Sequence, residues 1–150
     1  MDTVSHKVLI TGGAMGIGAS LARMLIKRGH SVVIADIADE TGQKLAKELD
    51  RAGTPCFYVH ADVSKSADVQ NMVQRAVDLM GGLDWLVNNA GIALAKSVTE
   101  TSEDEWHKLI GINLTGAWLV SKYAIPHLKG NKGAAIVNVA SNAGLVGLSN

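Results

Sequence analysis

Thr11-Gly12-Gly13-Ala14-Met15-Gly16-Ile17-Gly18 follows an apolar, β-branched run, Lys7 to Thr11, and opens an amphipathic stretch, Gly16 to Arg28. A glycine turn between a strand and a helix is the setting that a phosphate-binding loop requires. Gly12 can take backbone angles barred to other residues, Gly16 lets the backbone approach a pyrophosphate, and Gly18 lets the helix pack close to the sheet. The free N–H groups and the positive end of the helix then face the anion. A glycine-rich turn without a ligand carries the same letters, so the glycines alone leave both readings open. A triphosphate loop needs Gly-Lys-Ser/Thr here, and Ile17-Gly18-Ala19 supplies none of it.

On either side of this turn, short apolar runs alternate with amphipathic segments. The first helix, Gly16 to Arg28, puts Ile17, Leu21, Met24 and Leu25 on one face and stops at Gly29. Ser31 to Asp36 reads as a second strand. Glu40 to Ala52 reads as a helix with Leu45, Leu49 and Ala52 inward, Glu40 and Lys44 paired outside, and Gly53 as its end. Cys56 to His60 is a third strand. Ser66 to Met80 is a helix whose stripe is Val69, Met72, Val73, Ala76, Val77 and Met80. Leu83 to Asn88 is a fourth strand and Ala134 to Ala140 a fifth. Between them Ser102 to Lys129 reads as one long helix, opened by a capping box of Ser102 and Glu105. Strand runs without polar alternation are covered on both faces, which means a parallel sheet. The expected fold is α/β: a single domain over 1–150, a Rossmann-type doubly wound parallel sheet in the order 3-2-1-4-5. Its ligand crevice lies at the switch between the first and fourth strands.

The chain has 150 residues, and 14 Lys plus Arg balance 14 Asp plus Glu. A net charge of zero argues against nucleic acid or an anionic membrane as a partner. No apolar run approaches the ~18 residues of a membrane span, and Met1-Asp2-Thr3 with Val8-Leu9-Ile10 makes no signal peptide. Cys56 is alone, so a reduced, cytoplasmic protein is expected. The five histidines show no metal spacing, so no metal site is expected. Met24, Met72 and Met80 read as core, and Trp85 as strand packing.

Polar residues at the strand ends carry the chemistry. Asp36 closes the second strand, where an acid can accept both ribose hydroxyls of an adenosine and repels a 2′-phosphate, which favours NAD over NADP; the other reading is a plain strand-end turn residue. Asp62 and Val63 close the third strand, where they could flank an adenine. Asn88-Asn89-Ala90-Gly91 closes the fourth, where small residues admit a ligand and amides can tie strand ends; for Asn88, a structural tie and a cofactor contact remain equally open. Asn113 falls inside an apolar stripe of Trp106, Leu109, Ile110, Ala117, Val120, Ala124 and Leu128, so its amide should be buried and need partners, which backbone or ordered water can supply. Ser141 follows the fifth strand, where its hydroxyl would point into the same crevice, the alternative being an ordinary strand-end Ser; it is not in a hydrolase elbow.

Taken together, the glycine turn at 11–18, Asp36, Asp62-Val63, Asn88-Asn89-Ala90-Gly91, Asn113 and Ser141 resemble the short-chain dehydrogenase/reductase family over the whole chain. The resemblance implies a nicotinamide-dependent oxidoreductase that interconverts a small-molecule alcohol and a ketone. It implies cofactor contacts at Gly12, Met15, Gly16, Ile17, Gly18, Asp36, Ile37, Asp62, Val63, Asn89, Ala90 and Gly91. It implies that Ser141 hydrogen-bonds the substrate oxygen and that Asn113 holds a water in a proton relay. It further implies that the family's Tyr-x-x-x-Lys motif would begin beyond Asn150; Tyr123, with His127 four residues on, does not match it. The expectation is therefore a sheet incomplete at its C-terminal edge and a chain that is catalytically incomplete by itself, the alternative being a non-catalytic NAD-binding fragment or pseudoenzyme. A second apolar strip, Leu114, Trp118 and Ile125, points to a homo-oligomer, a dimer or tetramer, through helix pairing as in that family.

Overall fold

The architecture comes from a computed structural model that describes residues 4–144; the residues on which the signal-peptide reading began, Met1 to Thr3, lie outside them. Five strands, β1 (Lys7–Thr11), β2 (Ser31–Asp36), β3 (Cys56–His60), β4 (Trp85–Asn88) and β5 (Ala135–Asn138), form one parallel sheet in the order β3-β2-β1-β4-β5. The helices are α1 (Gly16–Lys27), α2 (Asp39–Leu49), α3 (Ser66–Met80), α4 (Glu103–Ile110) and α5 (Ala117–Leu128). The doubly wound order is the one expected, and its cause is visible in the strand side chains. Val8, Ile10, Val32 and Ile34 pack toward α1 and α2, while Leu9 and Val33 pack toward α3 and α5. Alternate residues thus meet opposite helical layers, and a strand buried on both sides has no place for a polar residue. Leu9 and Ile10 are fully buried, each contributing about 1.5–3 kcal/mol by transfer from water.

β1, β2, β3 and α3 have the bounds that periodicity predicts. Elsewhere the structure corrects the reading. On α1 the buried residues are Gly18, Ala22, Leu25 and Ile26, whereas Ile17 and Met24 are exposed. The face is rotated because Gly18 is pressed against Gly12 and Asn89, which fixes the helix phase from its first turn. Helix α2 ends at Leu49, and Ala52 is exposed in a turn closed by an Arg51–Thr54 bridge. Glu40 and Lys44 make no ion pair among the described residues; Arg23 of α1 grips Glu48 of α2 instead. β4 begins at Trp85 and β5 spans four residues, Ala135–Asn138.

The largest correction concerns the long helix. Its Ser102–Glu105 capping box is present, but Gly111–Gly116 is π-helical and separates α4 from α5. A wider turn carries extra residues and rotates the stripe predicted from an uninterrupted 3.6 period. Val120, Ala124 and Leu128 are buried as expected, whereas Trp106 and Asn113 are exposed. At the end of the π segment, Gly116 abuts Val63; a Cβ there would stand 2.9 Å from Val63 Cγ2.

The end of the sheet away from the crevice is closed by rings. His6 stacks on Trp85 with centroids 4.0 Å apart, and His30 meets the same indole edge-on at 5.2 Å. His30 is 8% exposed, and its Nδ1 accepts the His6 backbone N–H at 3.1 Å. That bond requires a neutral ring with its proton on Nε2. Burial first, then the nearby His6 and Arg28, hold His30 below the usual histidine range. A histidine kept neutral in the fold but free to protonate when unfolded contributes stability above about pH 6.5, lost as pH falls below it. Denaturant titrations at pH about 7.5 and 5.5 should therefore show lower stability at the acid end. His30→Asn, which can offer an oxygen to the same N–H, should flatten that difference; an unchanged difference would exclude His30 as its source.

Candidate functional site

At the carboxyl ends of β1, β2, β3 and β4 lies a cleft of about 450 Å³. One wall is Gly12 with Met15 and Ile17 of the α1 entry; the next is Asp36-Ile37-Ala38 beyond β2. Ala61-Asp62-Val63 beyond β3 and Asn89-Ala90-Gly91-Ile92 beyond β4 complete it, with Ile112 of the π segment above. Every cofactor contact expected from the sequence lies on this lining except Gly16 and Gly18. Gly16 stands at the first position of α1 with φ +56°, and nothing is within 4 Å of where its Cβ would be. Gly18 is buried beneath the turn: a Cβ there would strike the Gly12 carbonyl and come within 2.7 Å of Asn89 Nδ2. Its part is packing. Ala38, Ala61, Ile92 and Ile112 line the cleft without having been read from the sequence. The first three adjoin residues that were; Ile112 depends on the π turn and left no signal.

Amide and hydroxyl side chains hold the crevice in shape. Thr11 Oγ1 accepts the Asn89 and Ala90 N–H groups, each at 3.1 Å. Asn89 Nδ2 donates back to the carbonyls of Thr11 (3.0 Å) and Gly12 (2.9 Å). Asn88 is 5% exposed and ties β4 to its other neighbours, Nδ2 donating to Asn138 Oδ1 at 2.8 Å and Ser121 Oγ at 3.0 Å. Its Oδ1 is buried without a partner among the described residues. Asn88 is not on the cleft lining, so its observed part is the tie between strand ends.

The acids sit on main-chain donors. Asp36 Oδ2 accepts the Ala14 N–H at 3.0 Å and Oδ1 the Ala38 N–H at 3.1 Å. The carboxylate therefore clasps the glycine turn while facing the cleft, and each oxygen keeps a further acceptor position. Asp62 Oδ1 accepts the Ser64 hydroxyl at 2.6 Å and its N–H at 3.0 Å, and Lys65 Nζ lies 3.5 Å from Oδ2. The Ser64 hydroxyl first, then its backbone N–H and Lys65, hold Asp62 below the usual carboxylate range. At the entry to α1, the N-cap residue Met15 offers no side-chain hydrogen bond and the first turn holds no acid. The first-turn N–H groups, which no helix can satisfy internally, are left for an anion or water.

Asn113 and Ser141 stand apart from this lining. The Asn113 amide is exposed and engaged with one residue: Oδ1 accepts the Ile92 N–H and Nδ2 donates to the Ile92 carbonyl, both at 2.9 Å. That is the backbone-bound alternative, without the burial. Ser141 is exposed and caps a short 3₁₀ turn, Asn142–Gly144, its Oγ accepting the Ala143 N–H at 3.1 Å. Among the described residues no cluster of His, Cys, Asp and Glu is gathered that could hold a metal ion.

Against known proteins, the pattern of the family described as short chain dehydrogenase matches residues 6–150. An uncharacterized oxidoreductase of Thermotoga maritima is 41% identical over 148 residues, covering 99% of this chain and 58% of that protein. A trans-4-hydroxycyclohexanecarboxylate dehydrogenase of Sinomonas cyclohexanicum is 42% identical, covering 99% of this chain and 60% of that protein. Among solved structures, a short chain dehydrogenase/reductase from Burkholderia phymatum in complex with NAD matches with a TM-score of 0.91 at 31% identity, covering 99% of this chain and 53% of that one. The chain thus spans between half and two thirds of the length of these relatives.

The tightest constraint in the site is the contact beneath the turn. Gly18→Ala, which forces a methyl into the Gly12 carbonyl and Asn89, should lower the unfolding free energy by about 1–3 kcal/mol, measured by urea denaturation. A loss below a few tenths of a kcal/mol would mean that the turn yields.

Proposed function

The chain belongs to the short chain dehydrogenase family, and from that premise we propose that it is the dinucleotide-binding part of an NAD-dependent oxidoreductase that interconverts a small-molecule alcohol and its ketone. The observation that carries the reading is the Asp36 carboxylate. It is fixed by two backbone N–H groups, has an acceptor position left on each oxygen, and lines the same cleft as an uncapped helix N-terminus. Two vicinal hydroxyls fit the two free positions, and a diphosphate fits the helix end. The turn has room for it: Gly16 leaves open space, and any Cβ at Gly12 would close on Ala90 Cα at 2.8 Å. NAD is preferred to NADP because a 2′-phosphate would meet Asp36, and no Lys or Arg is among the lining residues. The complex of the Burkholderia phymatum relative with NAD is consistent with this choice.

When bound, the nicotinamide gives or takes the hydride. The chain's own residues bind and position. Met15, Ile17, Ile37 and Val63 offer apolar surface to the rings, and Asn89, Ala90 and Gly91 line the opposite wall. Asn113 positions the main chain at Ile92, and each of its amide atoms keeps one hydrogen-bonding position for a relay water. Ser141 is proposed to orient the substrate oxygen. Residues 1–150 contain no Tyr-x-x-x-Lys pair, and the Tyr123 hydroxyl is engaged with Ser66 at 3.0 Å. A missing acid/base costs about 10²–10⁴-fold, so the second reading, a unit that binds NAD without turnover, applies to these residues taken alone.

Cys56 is buried, and burial first, then Asp50, pushes its thiol up to about 12, so it stays a protonated packing residue. That suits a reducing, cytoplasmic setting, which we propose; no helix among the described residues is long and apolar enough to cross a membrane. We further propose a homo-oligomer, a dimer or tetramer. Leu114, Trp118 and Ile125 leave 64%, 58% and 40% of their surfaces exposed, and a strip of this kind is normally covered.

Calorimetry of residues 1–150 with NAD should show binding, weakened by Asp36→Ala about tenfold or more, with NADP gaining relative to NAD. The same protein should form no detectable NADH from an alcohol. A folded wild type that gives no heat would overturn the binding reading. Sedimentation should show a species larger than a monomer at micromolar concentration, shifted toward monomer by Trp118→Glu; a wild-type monomer would count against the interface.

A further inference from the structure

We infer that Tyr58, which does not line the cleft but bonds the main chain of Asp36 from behind it, is the positioning residue that fixes Asp36 for ribose binding and so sets the preference for NAD over NADP. The inference rests on the dinucleotide reading of the cleft and goes one step behind it. Tyr58 is in the middle of β3, opposite Ile34 in the parallel register. Its ring lies against α2 at Gly42, where any Cβ would collide with the ring carbons. The hydroxyl thereby reaches the turn between β2 and α2. It donates to the Asp36 carbonyl at 2.7 Å and to Asp39 Oδ1 at 2.7 Å, a three-centre bond made with a single proton. His60 Nδ1 meets the same Asp39 oxygen at 2.8 Å from the next strand position facing that way.

This contact staples the segment that carries the selecting acid. The Asp36 carbonyl already accepts the Ala61 N–H at 3.1 Å, the last rung between β2 and β3. Tyr58 fills its second lone pair and joins it to the first residue of α2. Both ends of Asp36-Ile37-Ala38-Asp39 are then held from β3, and the Asp36 carboxylate, bonded to Ala14 and Ala38, has its main chain fixed behind it. A carboxylate that must meet two hydroxyls at once, and meet a phosphate only as a repulsive charge, depends on that fixity. The phenol stays protonated throughout the working range, because burial and then Asp39 push it well above the usual tyrosine value. The staple is therefore always a donor.

The test is a double-mutant cycle read in cofactor affinity. Dissociation constants for NAD and NADP are measured for the wild type, Tyr58→Phe, Asp36→Ala and the double variant. Tyr58→Phe keeps the ring on Gly42 and removes only the hydroxyl. It should raise the NAD constant roughly three- to tenfold, the range of one net hydrogen bond, leave the NADP constant level or lower, and so narrow the ratio. In the Asp36→Ala background the same change should move NAD binding by less than about twofold, because nothing remains to position. Equal NAD affinity in wild type and Tyr58→Phe would overturn the inference while leaving the dinucleotide reading intact. Equal losses for NAD and NADP, persisting without Asp36, would also overturn it and assign Tyr58 a purely structural part. A wild type that fails to bind NAD would remove the cleft reading and this inference together. Should Tyr58→Phe not fold, Asp39→Asn weakens the same staple from its exposed end, and the same outcomes apply.

Discussion

The crevice between β1 and β4 is held by reciprocal bonds between Thr11 and Asn89, and the rest of the molecule depends on that tie. At this switch point the chain leaves β1 for one face of the sheet and β4 for the other, so no loop crosses the gap. Backbone groups at the two strand ends would lose their ladder partners there. Thr11 Oγ1 takes two N–H groups from the β4 side, and Asn89 Nδ2 serves two carbonyls on the β1 side. One hydroxyl and one amide thus satisfy four main-chain groups that a ladder cannot reach. The gap stays narrow enough to be structural and open enough to receive a ligand. An apolar residue at position 89 would leave two carbonyls short and remove the reason for the strand ends to stay together.

Close approach is the second requirement, and it is met by absent side chains. Gly18 lets α1 settle onto the turn, and Gly116 lets the α4–α5 unit settle onto Val63. In both places the helix is brought to the cleft rim by a missing methyl group, so small residues matter here for what they let approach. The π segment serves the same end. Its wider turn puts Asn113 against the Ile92 main chain and Ile112 over the cleft. Helices would otherwise pass this point on a straight 3.6-residue course and present neither.

These features explain what the letters disclosed. Strand order, the crevice and most of its lining were legible because they follow from local signals: apolar runs bounded by glycine, and polar residues at strand ends. Helix α3 was legible because its stripe is long and unbroken. The α1 face departs from its apolar spacing because its phase is set by a tertiary contact at Gly18, not by where its largest apolar residues fall. Met24 shows the difference, being an apolar residue at a plausible spacing that faces outward. A single period run through Gly111–Gly116 puts Trp106 and Asn113 inside, but the turn widens there and both are exposed, and no single residue of the segment announces that widening. Tyr58 was invisible for another reason. The role inferred for it depends on Gly42 and on a carbonyl in a neighbouring strand, and neither leaves a motif.

The charge on the lining poses a last question, because the cleft proposed to take a diphosphate contributes two acids and no base. Long-range attraction cannot account for that, since the formal field at the mouth is negative. The contradiction dissolves at short range. Asp62 is paired with the Lys65 cation and the Ser64 donors, whereas Asp36, held by the neutral Ala14 and Ala38 N–H groups, keeps its negative charge. The α1 N-terminus, with no acid in its first turn and no cap from Met15, remains uncompensated. An anion therefore gains at one end of the cleft and is opposed at the other. The proposed ligand fits that gradient, with its diphosphate at the helix end, an unphosphorylated sugar at Asp36, and a 2′-phosphate as the group that the proposal excludes.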